Sequence, residues 1–207
     1  MRRALARCGA MSSGTPAAEP EPAAASQATL LAGSHCVRDL RAFLEGRWRV
    51  WRDISNGDDA PGSAGRFEGA AQFTRAEPPP EAGEGAAVLD YVEQGDLTLP
   101  GMSRPLSATR RYSYRFPAGG DPTEAQVFFA DGPSEGQFFH SLRLQEGAWA
   151  AHHLCVADHY SGEFRAASAS RWEAVWRVRG PKKDQVLHSV YEREAPAAGA
   201  RAEEDRP

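Results

Sequence analysis

Lysine is almost missing from this chain of 207 residues, and long apolar runs are missing altogether. Lys182 and Lys183 are the only lysines, although Lys and Arg together number 24. A GC-rich coding sequence accounts for that bias, since alanine is also abundant. No stretch approaches the roughly 20 apolar residues of a membrane-spanning helix. Net positive charge is missing too: the formal net charge of -4 gives no electrostatic reason to expect nucleic acid. Cysteine is scarce, with Cys8, Cys36 and Cys155 only. An odd count, with two members in or near a tail, argues against a disulfide framework and for a reducing compartment. Gly-rich phosphate loops and dinucleotide fingerprints are absent as well, which removes the common nucleotide-binding classes.

What remains, 41% hydrophobic and 25% charged, is ordinary for a globular protein with one real core. Residues 1–34 are rich in Ala, Pro, Ser and Glu without apolar periodicity, and read as a disordered tail. Their start, MRRALARCGAM, also fits the head of an organelle transit peptide, although Glu19 and Glu21 dilute that signal. Residues 195–207 read as a second disordered tail, and all five Trp and all five Tyr lie between the two. The expected folded unit is 37–194, in a chain expected inside the cell, cytoplasmic or organellar.

Within that unit Val37, Leu40, Phe43 and Leu44 recur at helical spacing, Asp39 sits early and Gly46 stops the segment. Ten strand-like segments follow, at 47–55, 66–75, 87–99, 107–117, 125–130, 137–145, 148–160, 163–170, 172–179 and 185–194. A meander without helical crossovers pairs antiparallel, and a sheet of this size avoids open edges by closing. The expectation is therefore all-β: a single antiparallel up-and-down barrel of about 8–10 strands with a short N-terminal helix. Gly46-Arg47-Trp48 resembles the Gly-x-Trp opening of lipocalins and the wider calycin group, in which the Trp packs across a closed barrel end.

Strict alternation points Arg52, Tyr91, Glu93, Arg110, Tyr112 and Phe129 inward. If Glu146-Gly147 is a two-residue turn, His140 faces His153 and Phe138 faces Cys155 across the next hairpin. A bulge near Ala157 would also bring Asp158 and Tyr160 inside. A four-residue loop in the last hairpin would set Trp176 opposite Ser189 and add Tyr191 and Arg193 to the lumen. Barrels filled only for stability use aliphatic and aromatic side chains, and buried charges need partners. A lumen this polar marks a candidate ligand site, with Arg52 or Arg110 as partner for Glu93.

Several blocks of residues together resemble one family. Phe43-Leu44-Glu45-Gly46-Arg47-Trp48, Asp131-Gly132 with Phe139-His140, His153-x-Cys155-x-x-Asp158-x-Tyr160-x-Gly162, and Trp176-x-Val178-x-Gly180-Pro181-x-Lys183-Asp184 are similar to the domain of unknown function 6314. The similarity runs from about Leu40 to Arg193. It implies a calycin-like barrel and no particular activity.

The leading functional expectation is a barrel that holds a small amphipathic or anionic molecule in its lumen. Its binding residues are Arg52, Tyr91, Glu93, Arg110, Tyr112, Phe129, His140, His153, Cys155, Tyr160, Trp176 and Tyr191. A second reading is an isomerase, lyase or hydrolase using His140, His153, Asp158 and Glu93. A haem barrel ligated by His140, His153 or His188 is a third, and a closed internal network without a ligand is a fourth. Cys155 with either inner histidine has the types of a nucleophile pair. No metal is assigned, because Cys-x-x-Cys and His-x-x-x-His spacings are lacking. Cofactor, ligand identity and oligomeric state are left open.

Overall fold

In the computed structural model, residues 34–195 are described, apart from Val156 and the side chain of Glu81. Asp39 caps a single helical turn, α1 (Leu40–Leu44), its carboxylate accepting the Ala42 N–H at 2.9 Å. Gly46 leaves that turn at φ 112°, where a side chain would be strained, and the first strand starts there. Ten strands follow: β1 (Gly46–Asn56), β2 (Gly65–Ala76), β3 (Ala87–Thr98), β4 (Leu106–Phe116), β5 (Glu124–Phe129), β6 (Phe138–Arg143), β7 (Ala148–Cys155), β8 (Asp158–Ser168), β9 (Arg171–Gly180) and β10 (Lys183–Arg193). Sequential strands other than β6 and β7 pair antiparallel, and β1 also pairs with β10, giving the order β6-β5-β4-β3-β2-β1-β10-β9-β8-β7. The all-β, nearly closed barrel is thus as the sequence implies, with its one unladdered seam between β6 and β7 in mid-chain.

One end is stoppered. Leu40 and Leu44 of α1 are fully buried over Trp48 of β1, which meets Trp172 of β9 edge to face at 6.3 Å. The Trp48 Nε1–H donates to the Leu44 carbonyl at 2.7 Å. Arg193, at the end of β10, lies over the Trp48 ring at 4.2 Å and donates to the carbonyls of Phe43 and Glu45. Those carbonyls belong to the helix end, which has no intrahelical donors left. Ser34–Val37 close the same end of the seam: the His35 N–H bonds Ala166, and the Val37 N–H bonds Leu144. Gly147 permits this crossing, since a Cβ there would stand 2.6 Å from the His35 carbonyl oxygen.

Three local expectations are corrected. The segment expected as a strand over 148–160 turns after Cys155 and returns from Asp158, so Ser161-Gly162 lies inside β8 and makes no turn. Gly162 serves packing: the Trp176 ring covers it, 2.8 Å from where a Cβ would sit. The last hairpin is tighter than expected, with Gly180 opposite Lys183, Trp176 opposite Leu187 and Trp172 opposite Tyr191. A shift of two residues keeps every side chain on its face. In β6, a bulge pairs Val127 with His140 but Phe128 with Phe138, so Phe139 and His140 both point inward. Phe138 instead meets Phe128 edge to face at 5.7 Å. Of the expected tails, 1–34 and 195–207, residues 1–33 and 196–207 lie outside the described residues.

Arg193→Ala should cost about 2 kcal/mol, because charge-assisted hydrogen bonds to two carbonyls and the stack on Trp48 go together. Urea unfolding of the full chain measures this; a loss under 0.5 kcal/mol, about the effect of a neutral surface change, would contradict the stapling role.

Candidate functional site

The lumen divides into two regions of different chemistry. In the first, Arg52 on β1 binds Glu93 on β3 through two bonds, of 2.8 and 2.7 Å, and donates to Ser189 Oγ at 2.7 Å. The Tyr91 hydroxyl donates to Glu93 at 2.6 Å, and Tyr191 stands 3.4 Å from both Tyr91 and Arg52. Burial alone would push the Glu93 carboxyl up. The Arg52 guanidinium and the Tyr91 hydroxyl outweigh it and hold Glu93 below the ordinary carboxylate range. Burial likewise drives the hydroxyls of Tyr91 and Tyr191 up, so both stay protonated donors. Phe67 lies beneath the Arg52 guanidinium at 5.3 Å. Its ring reaches over Gly69 and Gly95, where a Cβ would come within 2.8 Å of it. This region is filled by its own side chains.

The second region is aromatic. Tyr112 of β4, Phe139 of β6 and Trp176 of β9 form one stack across the lumen, with centroids 5.7 and 4.9 Å apart and planes within 12° and 20°. His140 packs behind it, stacked on Phe164 at 5.2 Å and edge-on to Trp176 at 5.1 Å. Burial pushes the His140 ring down to about 4, so it is neutral at pH 7, and its Nδ1 lies 2.8 Å from the Ser141 carbonyl oxygen. His153 of β7 presents its ring to Phe139 at 5.1 Å and Tyr160 at 6.0 Å. Burial lowers its pKa as well, against a pull upward from the Phe139 carbonyl. Its Nε2 is buried without a hydrogen-bond partner in the protein.

The seam explains why these rings gather here. An edge strand leaves carbonyls that need donors, and β7 supplies them from side chains. Trp149 Nε1–H donates to the Ser141 carbonyl at 2.9 Å, where a ladder would have used a backbone N–H. The His153 ring lies near the Phe139 carbonyl of the same edge.

At the barrel end opposite α1, a cavity of about 110 Å³ opens beside the seam. Tyr112, Phe129, Phe139 and Tyr160 wall it, His153 and Cys155 reach it from β7, and residues 131–134 form its lip. Arg110 and Asp131 edge it as an ion pair at 3.3 Å. Asp131 also fixes the loop by accepting the Arg111 N–H at 2.8 Å. Asp158 pairs with Lys183 at 2.6 Å, and Lys183 is held charged by Asp158 first and by the nearby Tyr160 hydroxyl.

The twelve expected binding residues therefore separate. Arg110, Tyr112, Phe129, His153, Cys155 and Tyr160 line the cavity. Arg52, Tyr91, Glu93 and Tyr191 form the filled network, and His140 and Trp176 pack behind Phe139. The four expected catalytic groups do not converge, since only His153 lines the cavity. Cys155 is not among the free thiols, Cys36 being the free cysteine among the described residues. His188 faces outward to Glu173 at 3.3 Å. A haem does not fit here: a cavity of about 110 Å³ is on the scale of a single aromatic ring, far too small for a macrocycle. Among the described residues, no group of three or more His, Cys, Asp or Glu is placed to hold a metal, and no helix is long and apolar enough to cross a membrane.

Sequence reasoning assigned no site role to Phe139, the hub of the stack, or to Ser134. Gly132-Pro133-Ser134-Glu135-Gly136 spells Gly-x-Ser-x-Gly, and Ser134 lines the cavity with His153. A nucleophile elbow needs a strand-to-helix turn and a serine bonded to its base. Here the segment joins two antiparallel strands, and His153 Nε2 accepts nothing from Ser134.

Fold and cavity together define a small antiparallel barrel, plugged at one end, whose lumen is largely filled and opens at the other. The chain belongs to the family of unknown function DUF6314, whose model matches residues 44–193. None of the curated proteins matches it. Among solved structures, the S-type phycobiliprotein lyase CPES from Guillardia theta is similar in fold, with a TM-score of 0.55 and 10% identity over 79% of this chain and 96% of that one. A DUF3598 protein of unknown function from Nostoc punctiforme matches with a TM-score of 0.46 and 14% identity, over 78% and 51% of the two chains. A redesigned β-barrel bound to DFHBI gives 0.36 and 14%, over 76% and 100%.

His140 also sets a pH dependence. Unfolded, its ring takes a proton near the ordinary 6.5; folded, only near about 4. The unfolded chain thus binds more protons between those values, and stability is full above the upper one and lost as pH falls toward the lower. The expected loss is about 3 kcal/mol. Glu93 adds a further loss at still lower pH, as it falls through its depressed folded value. Urea unfolding from pH 7 to pH 4 should show the decline, and His140→Phe should flatten it; an unchanged slope would disprove the assignment.

Proposed function

We propose that this protein binds a small amphipathic molecule at the open end of its barrel. The apolar part of the ligand packs among Tyr112, Phe129, Phe139 and Tyr160, and its polar part meets the rim of Arg110 and Asp131. The observation that carries the reading is the 110 Å³ cavity itself, walled by aromatic rings and edged by charge in a lumen otherwise filled. Aromatic walls with a few convergent polar groups are the usual make-up of ligand sites. Because Arg110 already faces Asp131, the rim is balanced in charge and favours a polar group over a bare anion. The Arg52–Glu93 network serves the fold: every member has its partner, and it does not touch the cavity.

Native mass spectrometry of the protein isolated from its own cells tests this. A bound mass in the small-molecule range should accompany the wild type, and Phe129→Asp, which buries a charge in the cavity wall, should lose it. Glu93→Gln should behave in the opposite way. It strands the Arg52 charge and should destabilise by about 3 kcal/mol, yet retain the bound mass. Absence of any co-purifying mass, with no ring-containing amphiphile raising the midpoint of unfolding, would refute the binding function.

A further inference from the structure

We infer that the cavity recognises a single six-membered aromatic ring bearing a neutral hydroxyl, a phenol-like group that donates its hydrogen bond to His153. This inference rests on the binding function proposed above and names the chemistry of the part of the ligand that is bound. Three independent features select it. The first is volume: engineered apolar cavities of roughly 150 Å³ take up one benzene ring, and this one, at about 110 Å³, has no space for a fused or macrocyclic system. The second is the wall, since Tyr112, Phe129, Phe139 and Tyr160 present ring faces and edges that attract another ring in offset or edge-on geometry.

The third feature is the orphan atom. His153 lines the cavity, and its Nε2 is buried with no partner from the protein. A buried polar atom without a partner is costly, and a ligand that supplies one gains that cost back as affinity. Burial favours the neutral form of the ring, and with its proton on Nδ1 the nitrogen left open is Nε2. The free nitrogen then offers a lone pair. A lone pair accepts from a hydroxyl and repels a phenolate or carboxylate oxygen, so the matching group is an uncharged donor. A ligand larger than one ring would leave its remainder at the mouth, beside the Arg110–Asp131 pair.

The test uses the full chain and three rings of similar size: phenol, anisole and benzene. Isothermal titration should rank phenol about tenfold tighter than anisole, the value of one hydrogen bond, and anisole close to benzene. Phenol, but not benzene, should shift the ¹⁵N resonance of His153 Nε2. In His153→Phe, phenol should bind no tighter than anisole. Should that variant fail to fold, the nitrogen shift in the wild type still decides. Equal affinity for the three rings, or a phenol preference that survives in His153→Phe, overturns the assigned ligand class while leaving a ring-binding cavity. Failure of all three rings to bind overturns the binding function with it.

Discussion

Between β6 and β7 the sheet lacks a backbone ladder, and the interior takes its form from how that gap is covered. The β6 carbonyls that would face a neighbouring strand instead meet ring nitrogens: the indole of Trp149 at Ser141 and the imidazole of His153 near Phe139. Side chains committed to this role cannot also fill the lumen. The bulge in β6 compensates by turning two consecutive residues inward, and Phe139 then carries the stack from Tyr112 to Trp176. The cavity is what that compensation leaves at the open end, beside a histidine that has one nitrogen to spare.

The barrel's two interior regions illustrate opposite solutions to burying polarity. Around Arg52 every charge and hydroxyl is matched within the protein, and Glu93 stays ionised because the guanidinium outweighs the loss of water. Around His140 and His153 burial prevails, and both rings give up their charge. A matched network is stiff and closed to outsiders. A neutral ring with an unmatched atom is open to one.

The architecture was legible from the sequence because many weak signals agree. Alternation along each strand, turn residues at regular spacing and the Gly46-Arg47-Trp48 opening all select one meander, and the inward placement of Arg52, Glu93, Arg110 and Tyr112 follows from parity alone. Parity fails where the count of residues changes. Phe138 and Phe139 are the same residue type side by side, so no pattern reveals that the bulge sends the second inward. Gly162 misled for a related reason: a glycine signals a turn or a close contact with equal force, and only the Trp176 ring decides between them. The division of the lumen was beyond reach, since it depends on which of Arg52 and Arg110 reaches Glu93. Arg110, directly opposite Glu93 across the β3–β4 ladder, pairs with Asp131 instead.

The pairing of β1 with β10 reaches from Trp48 to Arg193, almost the whole length of the folded unit. During synthesis β1 can zip to β2 early, but its other edge has no mate until the last strand has left the ribosome. The plug waits as well, because Arg193 must arrive before the carbonyls of Phe43 and Glu45 find their donor. Assembly is thus a race between barrel closure and capture of a bare strand edge by another nascent chain. Arg47 and Arg49 are exposed on the outer side of β1. Their charge lets that edge stay solvated while it waits.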